Sequence, residues 1–200
     1  MPSLTLERLK ARLSPAQAHA PAPDLVPAGV LAPLFVEDGQ IKVLLLQRSL
    51  MVRDHRGQMA FPGGVRDPED PHLLATALRE TEEELGLPRH WVDVLGAIKP
   101  VNTLTGYHIT AYVGLIPCPY PFQPNPHEVK RLLTLPLKEL TPPSRWGSGA
   151  YEFKGKILQV CYWRSRQEVI WGATARILLH LMALLGRHPL GLRTESPCPH

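Results

Sequence analysis

Three glutamates near the middle of the chain have a spacing that suits a metal site. Glu80, Glu83 and Glu84 stand at i, i+3 and i+4, so on a helix their carboxylates project from one face. Like charges so placed repel, and the C-terminal end of a helix disfavours anions. Mg²⁺ or Mn²⁺ prefers oxygen ligands and would offset both penalties. A solvated acidic face is the ordinary alternative, and spacing within this trio does not exclude it.

The residues around the glutamates separate these alternatives. Five fixed positions and an upstream glycine pair form one pattern: Arg79, Glu80, Glu83, Glu84 and Gly86, with Gly63–Gly64. At background frequencies of about one in sixteen per position, chance produces the five positions about once in several thousand chains of this length. The pattern therefore favours a metal site over a solvated acidic helix face.

This pattern resembles the Nudix box, G-x5-E-x7-R-E-U-x-E-E-x-G-U, in which U is a bulky apolar residue. Three positions depart from it. Thr81 stands at the first apolar position, and Asp70 or Glu69 supplies the upstream acid at a shifted offset. Gly64 is also one residue further from Arg79 than the general box allows. That insertion falls in the loop before the helix, where changes of length are tolerated.

The resemblance implies a Nudix-type α/β/α sandwich with a mixed β-sheet, and hydrolysis of a nucleoside diphosphate linked to another group. Glu80 and Glu84 would bind Mg²⁺ or Mn²⁺, and Glu83 would be a further ligand or would help to deprotonate water. Arg79 would orient a glutamate. Glycines at Gly63–Gly64 would let the backbone approach the substrate phosphates.

A second stretch narrows the substrate class. Residues 44–64 read LLLQRSLMVRDHRGQMAFPGG. They resemble the extra motif of the coenzyme A pyrophosphatase branch of Nudix enzymes, L-L-T-x-R-S-x3-R-x3-G-x3-F-P-G-G, with Leu46 in place of the threonine. The matching positions are Leu44, Leu45, Arg48, Ser49, Arg53, Gly57, Phe61, Pro62, Gly63 and Gly64. The resemblance implies cleavage of coenzyme A into 3′,5′-ADP and 4′-phosphopantetheine.

Several charged residues are candidates for binding this substrate. Arg48 and Arg53 stand at motif positions, and an arginine can hold a phosphate through two hydrogen bonds. His55 and Arg56 lie in the same loop. Glu128 is a possible additional carboxylate, as ligand or base; a surface glutamate in a proline-rich turn is an equal alternative.

Two other functions remain open. A different Nudix substrate, such as ADP-ribose or NADH, would use the same glutamates, although the 44–64 stretch argues against it. A non-catalytic ligand sensor with a Nudix-like fold is the second alternative. The intact glutamates argue against a sensor, as does a length of 200 residues, which leaves no room for a separate DNA-binding domain.

The helix that carries the glutamates is predicted over residues 71–85. Asp70 is a suitable N-cap and Pro71 suits the first helical position. Gly86 can take the left-handed conformation that ends a helix, and Pro88 prevents continuation.

Other elements follow from periodicity and punctuation. They are strands at 29–36 and 41–47, a loop at 48–62, strands at 91–99 and 107–116, an irregular stretch at 117–126, a strand pair within 151–168, and a helix at 171–185 ended by Gly186. Residues 1–25 are predicted to be an amphipathic helix and a Pro/Ala-rich linker, 26–186 the Nudix hydrolase domain, and 187–200 a tail.

Composition limits the partners. The net charge is +4 and no basic run of nucleic-acid type occurs. No apolar run is long enough to span a membrane, and no secretory signal is evident. Three cysteines without a CxxC motif give no zinc pattern. We expect a cytoplasmic enzyme with a small-molecule substrate and no nucleic-acid or membrane partner; the sequence leaves the oligomeric state open, with a homodimer as one option.

Overall fold

The computed structural model describes residues 2–15, 24–52, 55–153, 155–187 and 189 of the 200. Within these ranges the helices are α1 (Pro2–Lys10), α2 (Leu73–Leu85) and α3 (Gly172–Leu184). The strands are β1 (Val26–Glu37), β2 (Gln40–Arg48), β3 (Met59–Ala60), β4 (Gly63–Val65), β5 (Asp93–Ala97), β6 (Val101–Asn102), β7 (Tyr107–Leu115), β8 (Val129–Pro136), β9 (Trp146–Phe153), β10 (Lys156–Arg164) and β11 (Val169–Trp171).

Strands β1 to β8 form one mixed sheet with β1 at its centre. β1 runs parallel to β7 from the pair Val26–Tyr107 to the pair Leu34–Leu115. All other pairs in this sheet are antiparallel: β1 with β2 and β4, β2 with β3 and β8, and β7 with β5 and β6. The predicted mixed sheet is therefore confirmed.

The two faces of the large sheet carry different helices, because successive side chains of a strand point to opposite faces. Leu31 of β1 packs in one buried cluster with Ala77 of α2. Ala32 and Leu34 belong to a second cluster, which contains Leu178 of α3. Each such buried leucine stabilises the fold by about 1.5–3 kcal/mol. The result is the predicted α/β/α sandwich.

Strands β9, β10 and β11 form a separate antiparallel sheet. Trp163 of this sheet is fully buried, and it shares the core that lies under α3 with Trp146 and Ile170. The strand pair predicted within 151–168 is therefore present, but it begins earlier, at Trp146.

The N-terminal helix packs on the rest of the molecule. Leu9 of α1 is fully buried in the core under α3. After the helix, Ser14 and Ala97 exchange two backbone hydrogen bonds of 3.0 and 2.8 Å. The division at residues 25 and 186 stays a prediction. Most of the predicted linker and tail (16–23, 188 and 190–200) lies outside the described residues.

The predicted start of the glutamate helix is wrong by two residues. α2 begins at Leu73, and its N-cap is His72, whose Nδ1 accepts a hydrogen bond from the Ala75 amide at 3.1 Å. Asp70 forms an ion pair with Arg79 instead of capping the helix. The predicted C-terminal end is confirmed, since Gly86 has φ of 65°.

Short strands account for most of the remaining differences. The segment predicted as a loop at 48–62 contains β3, whose two residues pair with β2. β6 also has two residues, and strands this short lack a readable period and form through pairing with a neighbour. The longer strand β8, of eight residues, was also not predicted. None of the helices in the described ranges has the length and apolar character needed to cross a membrane.

Candidate active site

Glycines set α2 close against the sheet. A Cβ on Gly29 of β1 would lie 2.1 Å from the Leu73 carbonyl oxygen, at the start of α2. A Cβ on Gly64 of β4 would lie 2.5–2.8 Å from the carboxylate atoms of Glu80. The absence of both side chains brings the glutamate face of α2 onto β4.

Glu84 is the most buried of the glutamates on this helix face, with 2% of its surface exposed. Its Oε2 accepts a hydrogen bond of 2.9 Å from the Gly63 amide. Its Oε1 lies 3.7 Å from Nη1 of Arg48. Burial raises the pKa of the Glu84 carboxyl to about 8, against the opposing effects of the Gly63 amide and Arg48. Glu84 therefore occupies a site where a cation is favourable.

Glu80 lies one turn before Glu84 and is partly buried. Burial raises the pKa of its carboxyl, and the guanidinium of Arg79 lowers it. Nη1 of Arg79 is 3.0 Å from its Oε1. Glu83 and Glu128 also act on Glu80 as like charges.

Arg79 ties the preceding loop to the helix. Its Nε and Nη2 donate to the two carboxylate oxygens of Asp70 at 3.2 and 3.0 Å. Its Nη1 reaches both Glu80, at 3.0 Å, and Glu83, at 3.2 Å. The hydrogen bond from Arg79 is the main cause that lowers the pKa of Asp70 to about 2. Arg79 therefore contacts three carboxylates at once, and its predicted orienting role stays a prediction.

Glu83 is separated from the other two glutamates by this contact. Its carboxylate lies against Arg79 and is 54% exposed, whereas Glu80 and Glu84 both line a cleft. Its predicted role as a metal ligand stays a prediction, and the structure does not bring its side chain into the cleft.

Glu128 reaches the cleft from the proline-rich segment. The Asn125 amide donates to the Glu84 carbonyl at 2.9 Å, and the Glu128 carbonyl accepts from the Ser49 amide at 2.7 Å. These bonds attach the loop to the end of α2 and to the end of β2. The Glu128 side chain lines the cleft, and its charge raises the pKa of both Glu80 and Glu84.

The cleft has a volume of about 650 Å³ and two different walls. The large sheet and α2 provide Glu80, Glu84, Gly63, Gly64 and Arg48. The small sheet and α3 provide the opposite wall, which includes Tyr151, Trp171 and Arg176.

The other basic residues of the predicted loop are arranged differently. Arg53 lies outside the described residues. His55 lines the cleft and has φ of 58°. Arg56 is turned back onto the loop, with its Nε donating to the Val52 carbonyl at 2.7 Å. Of Arg48, Arg53, His55 and Arg56, the described residues that line the cleft are therefore Arg48 and His55.

The glycine pair has a role that the sequence did not reveal. Gly63, with φ of 142°, gives its amide hydrogen to Glu84, and Gly64 makes room for Glu80. Both glycines line the cleft, so contact with substrate phosphates stays a prediction. Their first effect is to hold two carboxylates against β4.

Sequence reasoning missed the opposite wall. Tyr151 and Trp171 have ring centroids 4.7 Å apart and both line the cleft. Arg176 lines it from α3. A single charged residue on an otherwise apolar helix was a usable signal for Arg176. Neither aromatic residue was predicted as a site residue, because the two come from different strands and meet only in the folded structure.

The fold and site together define a class of mixed-sheet α/β proteins in which an acidic helix packs against a glycine-containing strand at the edge of a cleft. The NUDIX domain model matches residues 26–157. The chain belongs to the Nudix hydrolase family.

Sequence relatives and a solved structure are similar to this chain. The uncharacterized Nudix hydrolases NudL of Yersinia pestis (strain Pestoides F) and of Yersinia pseudotuberculosis serotype O:1b (strain IP 31758) are each 42% identical over 154 residues, which is 77% of this chain and 77% of theirs. The crystal structure of a MutT/nudix family protein from Enterococcus faecalis is similar, with a TM-score of 0.51 and 16% identity over 87% of this chain and 69% of that chain.

Nudix hydrolases generally use divalent metal ions. In the described part of the chain, no three His, Cys, Asp or Glu side chains are close enough together to form a metal site. Glu80 and Glu84, with Glu128 nearby, nevertheless offer the hard oxygen atoms that Mg²⁺ and Mn²⁺ prefer. Mg²⁺ is often held by one or two carboxylates together with water and substrate phosphates, and the two partly or fully buried glutamates fit that arrangement.

Proposed function

We propose that the protein hydrolyses the pyrophosphate of coenzyme A, and of related coenzyme A species, to 3′,5′-ADP and 4′-phosphopantetheine. One observation carries the proposal: Nη1 of Arg48 lies 3.7 Å from Oε1 of Glu84 in the cleft. Arg48 belongs to the stretch that resembles the coenzyme A branch, and Glu84 belongs to the Nudix box. The substrate-class motif and the hydrolytic motif thus meet at one point.

Arg48 is well suited to bind a phosphate. Its Nε is buried and has no hydrogen-bond partner among the described residues. The register between β2 and β8 shifts at Gln47 and Arg48, and such a bulge redirects a side chain. A guanidinium with free donors next to a carboxylate that prefers a cation can hold a pyrophosphate oxygen. Arg53, the second motif arginine, is proposed for the same function.

The reaction requires charge neutralisation, a positioned water and an acceptor for its proton. A water oxygen attacks one phosphorus, the bridging P–O bond breaks, and the second phosphate leaves with the bridging oxygen. In the proposal Glu80 and Glu84 would hold Mg²⁺ or Mn²⁺, and the bound ion would supply charge neutralisation for the pyrophosphate. Glu128 supplies a further carboxylate, as ligand or proton acceptor. Glu83 is proposed as a ligand or base once its carboxylate has broken its contact with Arg79. Arg79 is proposed to orient Glu80.

The size and lining of the cleft support a large nucleotide substrate. A volume of about 650 Å³ is within the range for clefts that bind cofactor-sized ligands. Tyr151 and Trp171 give an aromatic surface on the wall opposite the glutamates. Such a surface suits the adenine or the pantetheine arm of coenzyme A.

Two alternatives are weaker. Another nucleoside diphosphate derivative, such as ADP-ribose or NADH, would use Glu80 and Glu84. It would not explain why residues 44–64, which include Arg48, resemble the motif of the coenzyme A branch. A non-catalytic ligand sensor would have no need for Glu84, since burying a carboxyl costs free energy that a sensor could avoid. Hydrolysis of coenzyme A would use both the carboxylates of Glu80 and Glu84 and the guanidinium of Arg48.

The test is a comparison of four substrates with Mg²⁺ or Mn²⁺ present: coenzyme A, dephospho-coenzyme A, ADP-ribose and NADH. Rates are followed by chromatography and the products identified by mass spectrometry. We expect coenzyme A to have the highest kcat/KM and to give 3′,5′-ADP and 4′-phosphopantetheine. A higher kcat/KM for ADP-ribose or NADH would reject coenzyme A as the preferred substrate, but it would leave the proposed pyrophosphate hydrolysis standing. No hydrolysis of any of the four would favour the sensor.

A further inference from the structure

Arg176 is an isolated charge on the wall of the cleft opposite the glutamates. It is the one Lys, Arg, Asp or Glu between Gly172 and Leu184, and the following residues, Ile177 and Leu178, are buried in the core. Its side chain is partly buried and lines the cleft. Burial lowers the pKa of its guanidinium, so the site already bears a cost for the positive charge.

Within the described ranges, no carboxylate pairs with this guanidinium. Nη1 of Arg176 donates to the Asn102 carbonyl at 2.9 Å, and no ion pair is formed. By contrast, Arg79 contacts three carboxylates, and Arg131 contacts both oxygens of Glu168. A guanidinium has five donors, so most of those on Arg176 remain for a ligand in the cleft.

The loop beside it adds hydroxyl groups. Thr103 and Thr105 line the same cleft and their Oγ1 atoms are 2.9 Å apart. The Thr103 hydroxyl also accepts from the Tyr107 amide at 2.9 Å. The Thr103–Thr105 loop continues directly from Asn102, the partner of Arg176. A cation with spare donors and adjacent hydroxyls forms a set that suits a compact tetrahedral anion.

We propose that Arg176 is the main determinant of a second anion subsite, which binds a phosphomonoester carried by the substrate at a distance from the bond that is cut. The proposal rests on the coenzyme A function above, where this group is the 3′-phosphate of the ribose. Arg48 contacts Glu84 from the end of β2, whereas Arg176 comes from α3 and bonds to Asn102 of β6. The proposal assigns a different phosphate of the substrate to each of these two arginines.

A purely structural role for Arg176 makes a different prediction. Its bond to Asn102 joins α3 to β6, and loss of that bond would affect every substrate equally. Glutamine at this position removes the charge but keeps an amide that can donate a hydrogen bond, and lysine keeps the charge without the planar fork. Arg89, an exposed arginine paired with Glu82, provides a matched control away from the cleft.

The experiment compares coenzyme A with dephospho-coenzyme A in the full-length wild type, Arg176→Gln, Arg176→Lys and Arg89→Gln. We expect the wild type to prefer coenzyme A by about ten- to a hundred-fold in kcat/KM, the scale of one charge-assisted contact. In Arg176→Gln this preference should fall to about threefold or less, and Arg176→Lys should keep part of it. Arg89→Gln should keep all of it. An unchanged preference in Arg176→Gln, or an equal loss on both substrates, would overturn the inference.

A binding measurement separates this inference from the proposed function. Calorimetry without divalent metal compares 3′,5′-ADP with AMP, which differ by the phosphomonoester alone. We expect 3′,5′-ADP to bind at least about tenfold more tightly to the wild type, and this advantage to disappear in Arg176→Gln. If the wild type does not hydrolyse coenzyme A, the proposed function fails and the calorimetry still decides: equal affinities for the two nucleotides would reject the subsite.

Discussion

A backbone amide and the lack of a side chain at glycine help to position the acidic residues of the cleft. Glu84 is fixed by the Gly63 amide, and Glu80 lies where a Cβ on Gly64 would be. The types and spacing of the glutamates were readable in the sequence. Their unequal burial was not, because the partners are more than fifteen residues away in the chain.

The substitution Gly64→Ala should lower turnover with little effect on stability. The added Cβ would lie 2.5–2.8 Å from the Glu80 carboxylate, which is the end of a flexible side chain and can move. We therefore expect kcat to fall by at least about tenfold, with the free energy of unfolding changed by less than about 1 kcal/mol. Steady-state kinetics and urea unfolding provide the two measurements.

Gly149→Ala is the matched control for this substitution. Gly149 lies in β9, and an added Cβ would meet Tyr162 atoms at 3.6 and 3.8 Å, which is an ordinary contact. Its activity and stability should remain close to those of the wild type. An unimpaired Gly64→Ala enzyme would show that the position of Glu80 does not matter for the reaction.

Helix α2 ends where the sequence predicts, but it begins two residues later than predicted. The sequence offered Asp70 as a cap, and Asp70 instead accepts two hydrogen bonds from Arg79. The choice between His72 and Asp70 depends on where Arg79 points, and that is a tertiary property. β1, β2 and β7 were predicted because each is long and apolar, whereas β3 and β6 have two residues each.

The Asp70–Arg79 pair gives a prediction for acid stability. The pKa of Asp70 is lowered from 3.8 to about 2, so the pair stabilises the folded state fully above about pH 4 and loses this effect as the pH falls towards 2. Asp70→Asn should reduce the free energy of unfolding at pH 7 by about 1–2 kcal/mol, after allowance for solvent screening.

Urea unfolding from pH 7 down to pH 2 measures this effect. The difference between Asp70→Asn and the wild type should shrink between pH 4 and pH 2, because the wild-type carboxyl becomes protonated. Asp93→Asn, at an exposed position in β5, serves as the control and should follow the wild type. A difference that stays constant down to pH 2 would contradict the ion-pair explanation.

The cleft exists because the two sheets, α2 and α3 enclose it. Helix α2, which packs on the large sheet, brings Glu80 and Glu84, and the small sheet brings Tyr151 and Trp171. The sequence predicted the first wall through two motifs. The second wall depends on the relative position of elements that are far apart in the chain, so local patterns could not predict it.

Metal binding should be visible in the stability of the whole molecule. A divalent ion that binds the folded state at about 100 times its Kd stabilises it by about 2.7 kcal/mol, which corresponds to roughly 5–11 °C in Tm for a domain of this size. Mg²⁺ or Mn²⁺ should raise the Tm of the wild type and a chelator should reverse the shift. The variant Glu80→Gln/Glu84→Gln should show no shift; an equal shift in this variant would place the metal elsewhere.

The kcat of Glu84→Gln at saturating Mg²⁺, on whichever of the four substrates the wild type hydrolyses best, tests directly whether Glu84 serves the hydrolysis. Glutamine keeps the shape and removes the charge, so kcat should fall by at least about 10²-fold, the scale for losing a key electrostatic group. Glu82→Gln, on another face of α2 and paired with Arg89, should retain full activity. Unchanged turnover in Glu84→Gln would contradict the assignment of this cleft as the hydrolytic centre.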